Sequence, residues 1–154
     1  MKQTCLLLLV KIFLVTSSFG QEISPGYDST LANNLGADEY GMKKYIFVIL
    51  KTGPVNVEDT AWRNQLFRGH FENINNLSSQ GKLIVAGPLE KNDRSYRGIF
   101  ILNAKDIEEA QNMLQKDPVI REGLMDAELY WWYGSAALST YLDVHKRIQK
   151  TTIQ

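Results

Sequence analysis

A chain of 154 residues, 44% apolar and 22% charged, has room for one domain with a sizeable core and carries no signature of disorder. Seventeen basic residues balance seventeen acidic ones, and without Lys2 and Lys11 the remainder holds 15 basic against 17 acidic. With no run of like charge, that balance excludes a phosphate-binding footprint, so no nucleic-acid partner is expected.

Residues 1–20, MKQTCLLLLVKIFLVTSSFG, have the layout of a secretory signal peptide. Lys2 supplies a charged start, the stretch from Cys5 to Val15 is mostly apolar, and Ser18 and Gly20 put small residues before a cut at Gln21. The apolar run is short of the ~20 residues a membrane span needs. Export to the periplasm or the outside is therefore expected, with no membrane association after cleavage. Cys5 is the only cysteine, so the mature chain would have neither disulfide nor thiol chemistry.

Residues 21–42 are rich in glycine and small polar residues without a period, which predicts a flexible or surface segment, with order beginning at Lys43. Tyr45 to Leu50, YIFVIL, predicts a strand closed by Thr52-Gly53-Pro54. The pattern turns helical from Val57 to Gln80, with Phe67, His70, Phe71, Ile74 and Leu77 on one arc and Gly81 placed for a left-handed stop. Leu83 to Ala86 is the second strand, Gly87-Pro88 a turn, and Gly98 to Leu102, extending to Tyr96, the third strand. A second helix opens near Asn103, with Asp106 favouring its first-turn amides, Ile107, Ala110, Met113 and Leu114 as its apolar stripe, and a stop before Asp117-Pro118. Glu128 to Tyr133, ELYWWY, predicts the fourth strand, and Ala136 to Ile148 an amphipathic terminal helix.

Strand, helix, strand, strand, helix, strand is the α+β plan of the split βαβ, ferredoxin-like fold: an antiparallel sheet with two helices on one face. A sheet covered on one face should alternate apolar with polar residues, and these strands do not. The second face needs a cover, either another copy or the terminal helix. At ~25 cal/mol per Å² its apolar area favours a homodimer packed sheet to sheet.

His70 is an ionisable ring on a core-facing arc, and needs a partner or a cavity. A bland reading is a core histidine bonded to a backbone carbonyl. Asp117 has one too, as the N-cap of a helix with Pro118 at its first position. Arg68 and Arg97 are candidates for holding an anionic substrate group, against the plainer reading of solvated surface. Trp131 and Trp132 are candidates for lining a pocket for a flat ligand, against core or interface. His145 falls on the terminal helix, far from His70 in sequence. No Cys/His/Asp/Glu grouping has metal spacing, and the glycines around Gly87 match no phosphate loop, so no cofactor is expected.

Arg68-Gly69-His70, Gly81-Lys82-Leu83 followed by Ala86-Gly87-Pro88, Glu108-Glu109-Ala110, and Asp117-Pro118 with Gly123-Leu124 together resemble the YCII-related (YciI-like) domain over residues 43–135. The resemblance implies a ferredoxin-like, dimeric α/β-barrel architecture and a small-molecule enzyme with a histidine–aspartate pair in a pocket, which by position are His70 and Asp117. The chain departs from that pattern in its signal peptide, in extra residues between Gly53 and Leu66, and in its terminal helix at 136–154. A carboxylate on one imidazole nitrogen fixes the tautomer and leaves the other nitrogen to accept a proton. No motif places a serine or cysteine nucleophile, so the expected chemistry is a proton transfer of lyase or isomerase type on a small molecule. The competing expectation is a non-catalytic small-ligand-binding or structural module on the same fold.

Overall fold

The computed structural model describes residues 24–151; the expected signal peptide lies outside them. The elements are α1 (Ser29–Leu35), β1 (Met42–Thr52), α2 (Thr60–Ser79), β2 (Leu83–Pro88), β3 (Tyr96–Leu102), α3 (Ile107–Leu114), α4 (Pro118–Arg121), β4 (Met125–Ser135), a 3₁₀ turn (Ala136–Thr140) and α5 (Tyr141–Ile148). The strands form one antiparallel sheet in the order β2-β3-β1-β4, the ferredoxin-like arrangement.

The helix-side core is built on alternate strand residues, Ile46, Val48 and Leu50 of β1 with Phe100 and Leu102 of β3, sealed by Leu77 of α2 and by Ala110, Met113 and Leu114 of α3. Each helix start is chemically specified. Asp59 accepts from the Ala61 and Trp62 amides at 2.8 and 3.3 Å to open α2. Asp106, rather than Asn103, caps α3 by accepting from the Glu109 amide at 2.7 Å, while Glu109 reaches back to the Lys105 amide at 2.8 Å. At the far end of α2, Gly81 takes φ +66°, its N–H donates to Ser78, and the Lys82 N–H donates to Leu77. That pair of bonds closes the helix and turns the chain into β2.

Other expectations differ from the structure as well, and Gly87-Pro88, expected as a turn, continues β2 to its end. The segment 21–42 is not uniformly irregular, because Asp28 caps α1 and Gly36 ends it at φ +70°. No residue of α1 is buried, so the helix leaves no apolar period in the sequence. The helix expected from Val57 begins at Thr60 and runs unbroken to Ser79. The terminal helix is a 3₁₀ turn followed by α5, since the chain must bend where Leu138 and Leu142 reach the second sheet face. There they pack against Tyr45, Ile84 and Ile101, and the Tyr141 hydroxyl donates to the Ile84 carbonyl at 2.5 Å. The terminal segment thus covers one corner of that face and leaves Tyr130 and Trp132 exposed.

Candidate active site

His70 and Asp117 meet although 47 positions separate them: His70 Nδ1 lies 2.5 Å from Asp117 Oδ2. Neither group is on the surface. Asp117 is fully buried and His70 is 7% exposed. Three local features bring them together. The buried arc of α2 is Leu66, His70, Asn73 and Leu77, which aims the imidazole inward. The turn after α3 makes Asp117 the cap of α4, where its other oxygen, Oδ1, accepts from the Val119 amide at 3.0 Å. Gly69 removes the obstacle between the two helices, since a Cβ there would stand 2.5 Å from Pro118 Cγ. The Gly-His and Asp-Pro pairs of the sequence are therefore two halves of one contact.

The plain reading of Asp117 as an N-cap holds, and the same carboxylate grips the histidine. The expected backbone-carbonyl partner for His70 is replaced by that carboxylate. With the carboxylate ionised and the imidazole neutral, Nδ1–H is the donor and Nε2 carries the lone pair. Nε2 has no hydrogen-bond partner among the described residues. Around the ring stand three phenylalanines: Phe100 of β3 stacked at 6.1 Å, with Phe67 and Phe71 edge-on at 6.1 and 5.5 Å.

The sequence placed His70 inside one buried arc with Phe67, Phe71, Ile74 and Leu77, and of these His70 and Leu77 are buried. Phe67, Phe71 and Ile74 are its half-buried flank, and Leu66 and Asn73 complete the buried arc. Asn73 gave no apolar signal and was missed. It is buried and its Nδ2 has no partner, an arrangement that costs roughly 1–3 kcal/mol. Ala86 lies on β2 opposite Phe100. It shares the helix-side face, yet it is exposed, which marks where α2 fails to cover β2.

The other candidates lie elsewhere. Arg68 is exposed on the outer side of α2, in a cleft of about 410 Å³ with Trp62, Glu72 and Arg121. Arg97 is exposed where the β1–β3 register shifts, and its Nε donates to the Thr52 hydroxyl at 2.6 Å. Neither arginine joins the pair. A second cleft, of about 610 Å³, holds Trp131 and four lysines, and neither cleft is lined by His70 or Asp117. Trp132 is on the other face, 5.7 Å from the Tyr45 ring, and His145 is exposed beside Tyr141. Among the described residues no grouping of three or more His, Cys, Asp or Glu could hold a metal ion, and no helix is long and apolar enough to cross a membrane.

A family model, the YCII-related domain, matches residues 45–132, from the first residues of β1 to near the end of β4. The chain belongs to the YCII-related domain family. Within this YCII-related domain fall the whole of the β1–β3 and β2–β3 pairings, most of β1–β4, and both members of the His70–Asp117 pair. Among solved structures, the 5-chloro-2-hydroxyhydroquinone dehydrochlorinase of Burkholderia phenoliruptrix AC1100, in complex with 2,5-dihydroxybenzoquinone, is similar at 20% identity, covering 56% of this chain and 92% of that one with a TM-score of 0.41. No curated protein matches the YCII-related chain.

Proposed function

We propose that this YCII-related protein is an exported small-molecule enzyme in which His70 is the general base and Asp117 its positioning carboxylate. The observation that carries the reading is the buried 2.5 Å contact from Asp117 Oδ2 to His70 Nδ1, with Nε2 left without a partner. A carboxylate with no solvent contact holds the ring in one orientation and one tautomer at little further entropic cost. Nε2 then takes a proton from a weakly acidic C–H or O–H of the bound molecule and returns it later in the reaction, the pattern of a lyase or isomerase. The phenylalanines around the ring suit a cyclic or aromatic substrate.

Export rests on residues 1–20, and a sheet-to-sheet homodimer on the apolar residues of the second face that the terminal segment leaves uncovered. The test is solvent-deuterium exchange at the acidic carbons of a panel of cyclic 1,3-diketones and hydroxylated quinols, followed by NMR. Wild type catalyses exchange in a panel member, and His70→Gln and Asp117→Asn remove it while the far-ultraviolet spectrum is unchanged. Exchange that is equally fast in His70→Gln would dismiss the imidazole as base. Saturable binding without exchange in any panel member would instead support the ligand-binding module.

A further inference from the structure

The cleft away from the His70 pair has a composition that the proposed reaction does not use. On the helix-side face, Leu83, Leu102 and Ile46 lie in one row across the sheet and are sealed, but Trp131, next in that row on β4, is 52% exposed. The helices stop short of this edge and leave the indole as a wall of the 610 Å³ cleft. An indole is among the costlier side chains to leave wet, and its neighbours are cations. Lys44 Nζ stands 5.8 Å from the Trp131 ring centroid, and Lys82, Lys105 and Lys43 line the same cleft.

Glu109 is the one carboxylate in the lining, and it is already committed. Its Oε1 accepts from Lys82 Nζ and its Oε2 from the Lys105 amide, each at 2.8 Å. Those bonds, the lysine's first, hold the Glu109 carboxyl below its ordinary range, so it stays anionic and engaged across the neutral range. Among the described residues Lys105 Nζ has only a loose, exposed approach to Asp106 at 3.8 Å, and Lys44 makes no ion pair. The cleft therefore carries a surplus of positive charge in a chain that is net neutral.

We infer that this cleft is a second ligand site, for a flat aromatic carboxylate whose ring lies on Trp131 and whose anionic group is taken by Lys44 and Lys105. Ring stacking and a charge-assisted contact are both needed: the indole alone does not select an anion, and the ammonium groups alone do not select a ring. The site shares no residue with the His70–Asp117 pair, and its occupancy does not depend on that pair being catalytic.

The experiment uses the whole protein with 2-naphthoate as probe, 2-naphthalenemethanol as its neutral counterpart and inorganic phosphate as competitor. Binding is read from the indole N–H signals in proton–nitrogen spectra. Expected is a saturable shift of the Trp131 signal with 2-naphthoate, with the neutral probe roughly tenfold weaker or more, the scale of one lost charge-assisted contact. Lys44→Met with Lys105→Met should weaken 2-naphthoate by a similar factor, Trp131→Leu should abolish binding as read from saturation transfer to the 2-naphthoate protons, and His70→Gln should leave the Trp131 shift unchanged. Because the lysines are on the surface, their variants keep the test valid if Trp131→Leu fails to fold. Equal affinity for the two naphthalenes, indifference to the lysine changes, displacement by equimolar phosphate, or loss of binding in His70→Gln would each overturn the assignment.

Discussion

Asp117 does two jobs with two oxygens, and substitutions can separate them. Asparagine keeps an acceptor for the Val119 amide and so keeps the cap of α4, but it cannot hold Nδ1–H of His70 as a carboxylate does. Asp117→Asn is expected to lose turnover with a modest loss of stability. Asp117→Ala loses the cap, ~1 kcal/mol, and also leaves His70 buried without its partner, a further roughly 1–3 kcal/mol. Chemical unfolding of the two variants checks the order, and equal destabilisation by both would contradict the division of labour. A second residue-scale test is at Tyr133, whose hydroxyl donates to Asp38. That bond, with some burial and the nearby carboxylate charge, pushes the phenol up to about 12 from 10.0. A raised phenol favours the protonated, folded form, so its contribution is complete below pH 10 and is lost as pH rises towards 12. Asp38 is held below its ordinary value chiefly by the same bond, so its contribution is present above pH 3.8 and fades as pH falls further. Phenolate absorbance should show Tyr133 as the last to titrate of a raised group that also holds Tyr45, Tyr130 and Tyr141, and Asp38→Asn should remove that last step; an unchanged titration in Asp38→Asn would refute the pairing.

At the scale of elements, the contact between α2 and α4 sets the site. Gly69→Ala adds helix propensity worth up to about 1 kcal/mol, yet its Cβ would meet the Pro118 ring, and overpacking of that kind costs about 1–3 kcal/mol. The clash should win: lower thermal stability, and a His70 ring whose NMR signals move as α4 is pushed away. A Gly69→Ala protein with unshifted His70 signals would show that the close approach does not position the pair. The succession of strands and helices, Gly81 as helix stop and Asp117 as cap were legible in the sequence because each depends on a local chemical rule, apolar runs, positive φ or an oxygen before a helix. The meeting of His70 with Asp117 came from family resemblance, not from any local rule, since it is a long-range consequence of strand order. Asn73 and α1 were illegible for opposite reasons. Asn73 is polar where the periodicity counts only apolar residues, and α1 buries nothing and so leaves no period to count.

For the whole molecule, the question is what covers the second sheet face. Leu138 and Leu142 shield the Tyr45–Ile84 corner, but Phe47, Ile49 and Ile99 stay half-exposed and Trp132 and Tyr130 open to solvent. A second copy would bury this face, and sedimentation of the mature protein at micromolar concentration should give a dimer that Phe47→Glu dissociates. A monomer at all concentrations would mean the terminal segment is cover enough. Export, dimer and substrate class all stand apart from the central claim, that Asp117 holds His70 with its proton on Nδ1 and Nε2 free and reachable. Carbethoxylation by diethyl pyrocarbonate, followed by mass spectrometry with exposed His145 as the internal standard, tests it most directly. His70 should react more slowly than His145 yet far faster than the protein unfolds, and should react at Nε2. Modification of His70 only at the rate of global unfolding would show an imidazole sealed in the core, and a general base it could not be.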